Sequence, residues 1–229
     1  MISRLQLLLT LVLLLPSGLV AEEPEKASKA VVCTFLHWDD APEETLYFRV
    51  GEEYHPMRFK RRARADAISL RRMDKFEIFR AVEDAANGNR SYQILASATF
   101  PSHIKQAVIM IMAPDKAGNG MYRILVMDDS TEAFPTSTYL FVNLTGQILS
   151  FDFAGESQDI QAGKSKVMHS RVTKQGALVP FILTDSDEKR IYENRFFGKH
   201  IARNIVCVAE PAEEGRAHRI KLWEQLLSK

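Results

Sequence analysis

Six histidines stand singly along this chain, at His37, His55, His103, His169, His200 and His218, with no HExxH or paired spacing. Metal-assisted hydrolysis therefore has no ligand set to start from. The carboxylates come as doublets (Asp39-Asp40, Glu43-Glu44, Glu52-Glu53, Asp128-Asp129) or singly at Asp152, Asp185 and Asp187. Nearly all lie among turn residues, where an Asp side chain caps backbone N–H groups. No G-x-S-x-G elbow marks a serine nucleophile. A hydrolase on this chain would need a Ser-His-Asp or two-carboxylate site assembled from residues far apart in sequence. Residues 128–130 and 184–188 are rich in oxygen ligands, but the glycine and terminal glutamate of an EF-hand loop are missing, so solvated turns are expected. The expectation is a chain without catalysis, cofactor or metal.

Residues 141–165, FVNLTGQILSFDFAGESQDIQAGKS, hold two apparent motifs. Gly163-Lys164-Ser165 resembles the end of a phosphate loop, but the required earlier glycine is Gln158, and the run after Ser165 is strand-like. A helix N-terminus to receive phosphate is therefore missing. Asn143-Leu144-Thr145 is a glycosylation triplet, as is Asn89-Arg90-Ser91. The plainer reading is a turn, with Gly146 at positive φ in a hairpin joining strands that end near Val142 and begin near Ile148.

Residues 58–72 carry seven Lys or Arg against the single Asp66. Arg58, Lys60, Arg61, Arg62 and Arg64 are the candidate anion-binding residues if they form one cationic surface. The alternative is a solvated edge strand protected by its charges. Trp38, Trp223, Tyr47 and Tyr54 would suit a sugar platform, set against the commoner role of aromatics in a β core. Cys33 and Cys207 are the only cysteines. In an oxidising compartment they suggest a disulfide, and otherwise two separate buried thiols.

These side chains must be positioned by the elements around them. At the N-terminus, Arg4 precedes a leucine-rich run over 5–15, then Pro16-Ser17-Gly18 and a small residue at Ala21. This is the layout of a signal peptide over 1–21, followed by a linker over 22–29. The run is too short to span a bilayer as a helix, so no membrane span is expected after its removal, and the protein is expected in the periplasm or outside the cell. Lys and Arg number 30 against 29 Asp and Glu. That balance argues against nucleic acid and leaves an envelope protein or an anionic polymer as the partner classes.

Beyond residue 30, short apolar runs alternate with Gly, Pro, Asn and Asp, the pattern of strands and turns. The fold class expected is all-β, an antiparallel β-sandwich with little helix, either as one domain or as two Ig-like halves over 30–114 and 120–227. The Pro- and Gly-rich break at 114–120 is either a hairpin loop or the boundary between halves. No internal repeat is clear enough to settle the count. Residues 74–86 and 220–227 carry the two helix-like patterns, though the loop at 211–215 favours a hairpin at the C-terminus. LYFRVGEEYHPM (46–57), YRILVMDDSTEAFPTSTYLFVNLTGQILSFDFAGE (122–156) and RIKLWEQ near the end together resemble a group of secreted bacterial β-sandwich-like proteins of unknown function. The resemblance implies no catalytic or binding residue.

Overall fold

The computed structural model describes residues 30–38, 42, 44–61, 63–86, 88–114, 121–171, 176–198, 202–211 and 216–226. The signal peptide and linker expected over 1–29 lie outside them, as do Arg62 and His200. Sixteen strands and no helix make up the described chain. The first eight are β1 (Val31–His37), β2 (Leu46–Val50), β3 (Glu53–Pro56), β4 (Ile68–Leu70), β5 (Lys75–Glu83), β6 (Arg90–Thr99), β7 (Gln106–Met112) and β8 (Arg123–Asp128). The second eight are β9 (Thr138–Asn143), β10 (Leu149–Phe153), β11 (Glu156–Ile160), β12 (Ser165–His169), β13 (Leu178–Thr184), β14 (Arg190–Phe197), β15 (Ala202–Ala209) and β16 (Arg219–Leu226).

The strand orders reveal a duplication. The first eight strands form sheets β4-β1-β7-β8 and β3-β2-β5-β6; the second eight form β12-β9-β15-β16 and β11-β10-β13-β14. Adding eight to each number in the first pair of orders reproduces the second pair. Both halves also share one departure from antiparallel pairing, since β1 runs parallel to β7 and β9 parallel to β15. The repeat can be aligned through its pairings. Val50↔Glu53 and Phe153↔Glu156 close two-residue hairpins, which sets Leu46, Phe48 and Val50 opposite Leu149, Phe151 and Phe153. Of the break expected at 114–120, residues 115–120 lie outside the described residues; the strands on either side of it, β7 and β8, pair antiparallel in one sheet. The chain passes from the first set of eight strands to the second through residues 129–137.

Three hydrophobic cores separate four layers. Phe35, Phe48, Phe76, Ile78, Ile109 and Ile111 fill the first half; Phe141, Phe151, Phe153, Phe181, Leu183 and Val206 fill the second. Between them, Leu36, Val108 and Met110 of the first half pack with Leu140, Val142, Ile205 and Cys207 of the second. The two central sheets are thus covered on both faces, which is why β9 and β15 are buried at every position and are apolar over most of their length, Tyr139–Val142 and Ile205–Ala209. Register places Met110 and Cys207 at equivalent positions of the two parallel pairs, and their sulfurs meet at 3.9 Å. Equivalent residues in mutual contact mark a local two-fold relation between the halves.

Several expectations are corrected. Cys33 faces the first half's own core and Cys207 the central one, and both are free thiols. The expected disulfide does not form, because alternation along the strands sends the two side chains into different layers. β9 and β10 do not form a hairpin; they sit in different sheets, and the 144–148 link is an arch between layers. Gly146 is not among the positive-φ residues. Asn143 shapes this arch instead. Fully buried, it donates through Nδ2 to the carbonyls of Gln147 and Ile160, each at 2.8 Å, and accepts at Oδ1 from the Thr145 N–H at 3.0 Å and hydroxyl at 2.6 Å. A side chain so engaged offers no attachment point for a glycan in the folded protein. Left-handed backbone appears in the next turn, where Ala154 (φ 54°) and Gly155 (φ 78°) form the tight β10–β11 hairpin. The helix-like stretch at 74–86 is strand β5, and the C-terminal segment pairs with β15 as a hairpin.

Candidate functional site

In each half one sheet has a buried inner face and an open outer face. On the first half's outer sheet the open face carries Tyr47 and Arg49 from β2, Tyr54 from β3, Glu77 and Phe79 from β5, and Tyr92 from β6. Their register puts Tyr47 opposite Phe79 and Arg49 opposite Tyr54. Phe79 is only 2% exposed although it belongs to none of the three cores. Its cover is aromatic. Tyr54 stands edge-on to it at 5.0 Å, and Tyr54 and Tyr92 stack at 3.8 Å with their planes 3° apart. Tyr47 meets Tyr92 edge-on at 5.3 Å. The Arg49 guanidinium lies 5.7 Å from the Phe79 ring and 3.5 Å from Glu77. Tyr54 and Tyr92 come from the two edge strands, so their stacking bridges the full width of the sheet. Such ring contacts are worth about 0.5–1.5 kcal/mol each beyond area burial. All three tyrosines remain partly exposed, and Ile94 beside them on β6 is 55% exposed.

The four aromatics weighed as a sugar platform, Trp38, Trp223, Tyr47 and Tyr54, therefore separate. The tyrosines take the open face. Trp38 and Trp223 pack against each other at 5.8 Å in the central core, where they are 4% and 3% exposed.

The basic stretch separates too. Arg58, Lys60 and Arg61 are exposed, with Lys60 paired to Asp66. Arg64 turns inward: Ala65 N–H donates to the Phe35 carbonyl, which brings this segment against β1. The Arg64 Nη1 then donates to Asp129 Oδ1 at 2.7 Å in a pair whose side chains are 5% and 8% exposed. Arg64 thus takes no part in the candidate cationic surface over 58–64, nor in the alternative of a solvated edge. Arg203 enters the same cluster from β15. It donates through Nη1 to the carbonyls of Asp129 (2.8 Å) and Phe134 (3.2 Å) and through Nη2 to Gln225 Oε1 (2.8 Å), and it lies 3.5 Å from Asp129 Oδ1. Both guanidinium groups sit against the Phe134 ring, at 5.7 and 5.3 Å. Burial and the nearby Arg203 charge pull the Arg64 pKa down, and Asp129 opposes that shift. The cluster ties the first half, the 129–137 connection and the second half at one point. Sequence reasoning missed it, although an arginine inside the apolar run of β15 was a visible anomaly.

The remaining candidates have structural roles. Asp128 accepts from the Ser130 N–H at 2.9 Å, and Asp185 from those of Asp187 (3.0 Å) and Lys189 (2.9 Å), so these carboxylates cap turns. Among the described residues no three His, Cys, Asp or Glu gather as a metal group would. Burial pushes the Cys33 thiol up to about 12 and Cys207 higher still, which suppresses the thiolate. An open cleft of about 420 Å³, lined by Met112, Tyr122, Leu125, Leu144 and Thr145 among others, has no carboxylate, histidine or cysteine among its described lining residues. Comparison of the chain with protein-family models and with curated proteins finds no match.

Proposed function

We propose that this protein is a non-catalytic interaction module, exported by its N-terminal segment, that holds an anionic glycan against the open tyrosine face of its first half. The observation that carries this reading is the Tyr47, Tyr54 and Tyr92 cluster, built on the solvent side of a sheet with Arg49 inside it. Aromatic rings offer apolar faces to sugar rings, and the exposed cations Arg58 and Arg61 begin four residues beyond Tyr54 in the chain. The deep, protonated thiols support a role without nucleophilic chemistry. Export is supported by the leucine-rich run over 5–15 and the small residue at Ala21.

Retention on an immobilised sulfated or uronate-rich polysaccharide tests the reading. The parent is expected to be retained at low salt and partly retained at physiological salt, where exposed charges are screened within about 8 Å. Arg58→Ser with Arg61→Ser should remove the salt-sensitive part, and Tyr54→Ala with Tyr92→Ala the part that survives salt. Absence of parent retention at low salt, or retention by both variants equal to the parent's, would overturn it.

A further inference from the structure

The joint between the halves holds more positive charge than its own carboxylate balances. Arg64 and Arg203, each with a side chain only 5% exposed, share Asp129. Burying a charge without a counter-charge is costly, and the cost grows when a like charge lies beside it. The unmade bonds are informative. Arg203 uses both terminal nitrogens and leaves only Nε unpartnered, whereas Arg64 uses Nη1 alone and leaves Nε and Nη2 buried with no acceptor among the described residues. Nε–H and Nη2–H lie on one edge of the planar guanidinium and point the same way, the fork that receives carboxylates and other small anions. An acceptor that is also an anion would satisfy both donors and neutralise the excess charge together.

We propose that the open edge of Arg64 is a binding site for a small monovalent anion, a halide or a simple carboxylate, which completes the cluster with Asp129 and Arg203 and fastens the two halves. The site is independent of the tyrosine face. It also accounts for the use of two arginines here, since a neutral joint would need only one arginine for one aspartate.

The test has a crystal arm and a solution arm, both on the full exported chain. Crystals grown in sodium bromide should show anomalous density within hydrogen-bonding reach of Arg64 Nε and Nη2, and crystals grown in sodium formate should show the carboxylate there. In solution, the thermal midpoint should rise with the logarithm of bromide, chloride or formate concentration relative to gluconate at matched ionic strength, because a ligand bound only by the native state stabilises it by mass action. The halide and formate series show which class the site prefers. Arg64→Leu leaves one arginine for one aspartate, so its midpoint should no longer respond to the anion. An ordered water at the fork in both crystals, an unchanged anion response in Arg64→Leu, or a crystal peak with no dependence in solution would each overturn the proposal. If Arg64→Leu fails to fold, the parent's crystals and titration still decide.

Discussion

The two halves have the same strand plan and differ most on their open faces. Inside, the aligned positions match in kind: Leu46, Phe48 and Val50 answer Leu149, Phe151 and Phe153, and Phe76 and Ile78 answer Phe181 and Leu183. Outside, Tyr47, Tyr54 and Phe79 stand where the second half has Ser150, Ser157 and Thr184. Arg49 likewise stands where the second half has Asp152. On the second half's face the small hydroxyls of Ser150 and Ser157 meet at 3.3 Å. A fold needs its inner face filled and places little demand on the outer one, so matched interiors follow from packing alone. The aromatic exterior does not. The second half shows that this topology stands with serine and threonine at those positions, and the tyrosine cluster is therefore surplus to the fold.

The sharpest test of matched interiors is a pair of truncations. Phe35→Ala and Phe141→Ala occupy equivalent places on β1 and β9, each facing its own half's core. Each should cost about 3–5 kcal/mol in denaturant unfolding. A large difference between them would break the equivalence.

The joint offers the next effect. Asp129→Asn removes the charge that both arginines share, and breaking a buried pair in this way typically costs about 3–5 kcal/mol when the partner charge is left uncompensated. The anion proposed at Arg64 would offset part of this, so a loss near 3 kcal/mol in gluconate and a smaller one in chloride is expected from urea titrations. A second transition in the variant, with the halves unfolding separately, would show that the joint couples them.

The smallest effects lie in the turns. Gly155→Val places a β-branched residue at φ 78° and should destabilise by more than about 1 kcal/mol. Gly146→Ala should stay within about 0.5 kcal/mol, since its added Cβ would meet only Glu210 Oε1, at 3.9 Å. Equal midpoints for the two variants would contradict the left-handed turn between β10 and β11.

Much of the strand content was legible because buried strands carry their own pattern. Gln106–Met112 and Leu178–Thr184 appear with the bounds their apolar runs suggest, and β9 and β15 are within a few residues of theirs. The strands that escaped, β3, β11 and β14, are edge strands with few buried side chains and no run of buried residues to announce them. The repeat escaped for a related reason. Only a few inward positions such as Leu46 and Leu149 or Phe48 and Phe151 need agree for the halves to share a topology, and the outward positions between them differ freely.

By itself the sequence determined the all-β class, most of the buried strands, and the residue types available for chemistry, because the alternation and clustering of apolar residues act over a few neighbours. Tertiary structure alone decided which side chains meet. It sent Cys33 and Cys207 to separate cores, turned Arg64 from the surface to Asp129, buried Trp38 and Trp223, and stacked Tyr54 on Tyr92 across four strands. Each outcome depends on strand register and on the order of layers, which arise from pairings between distant parts of the chain and leave no local trace in it.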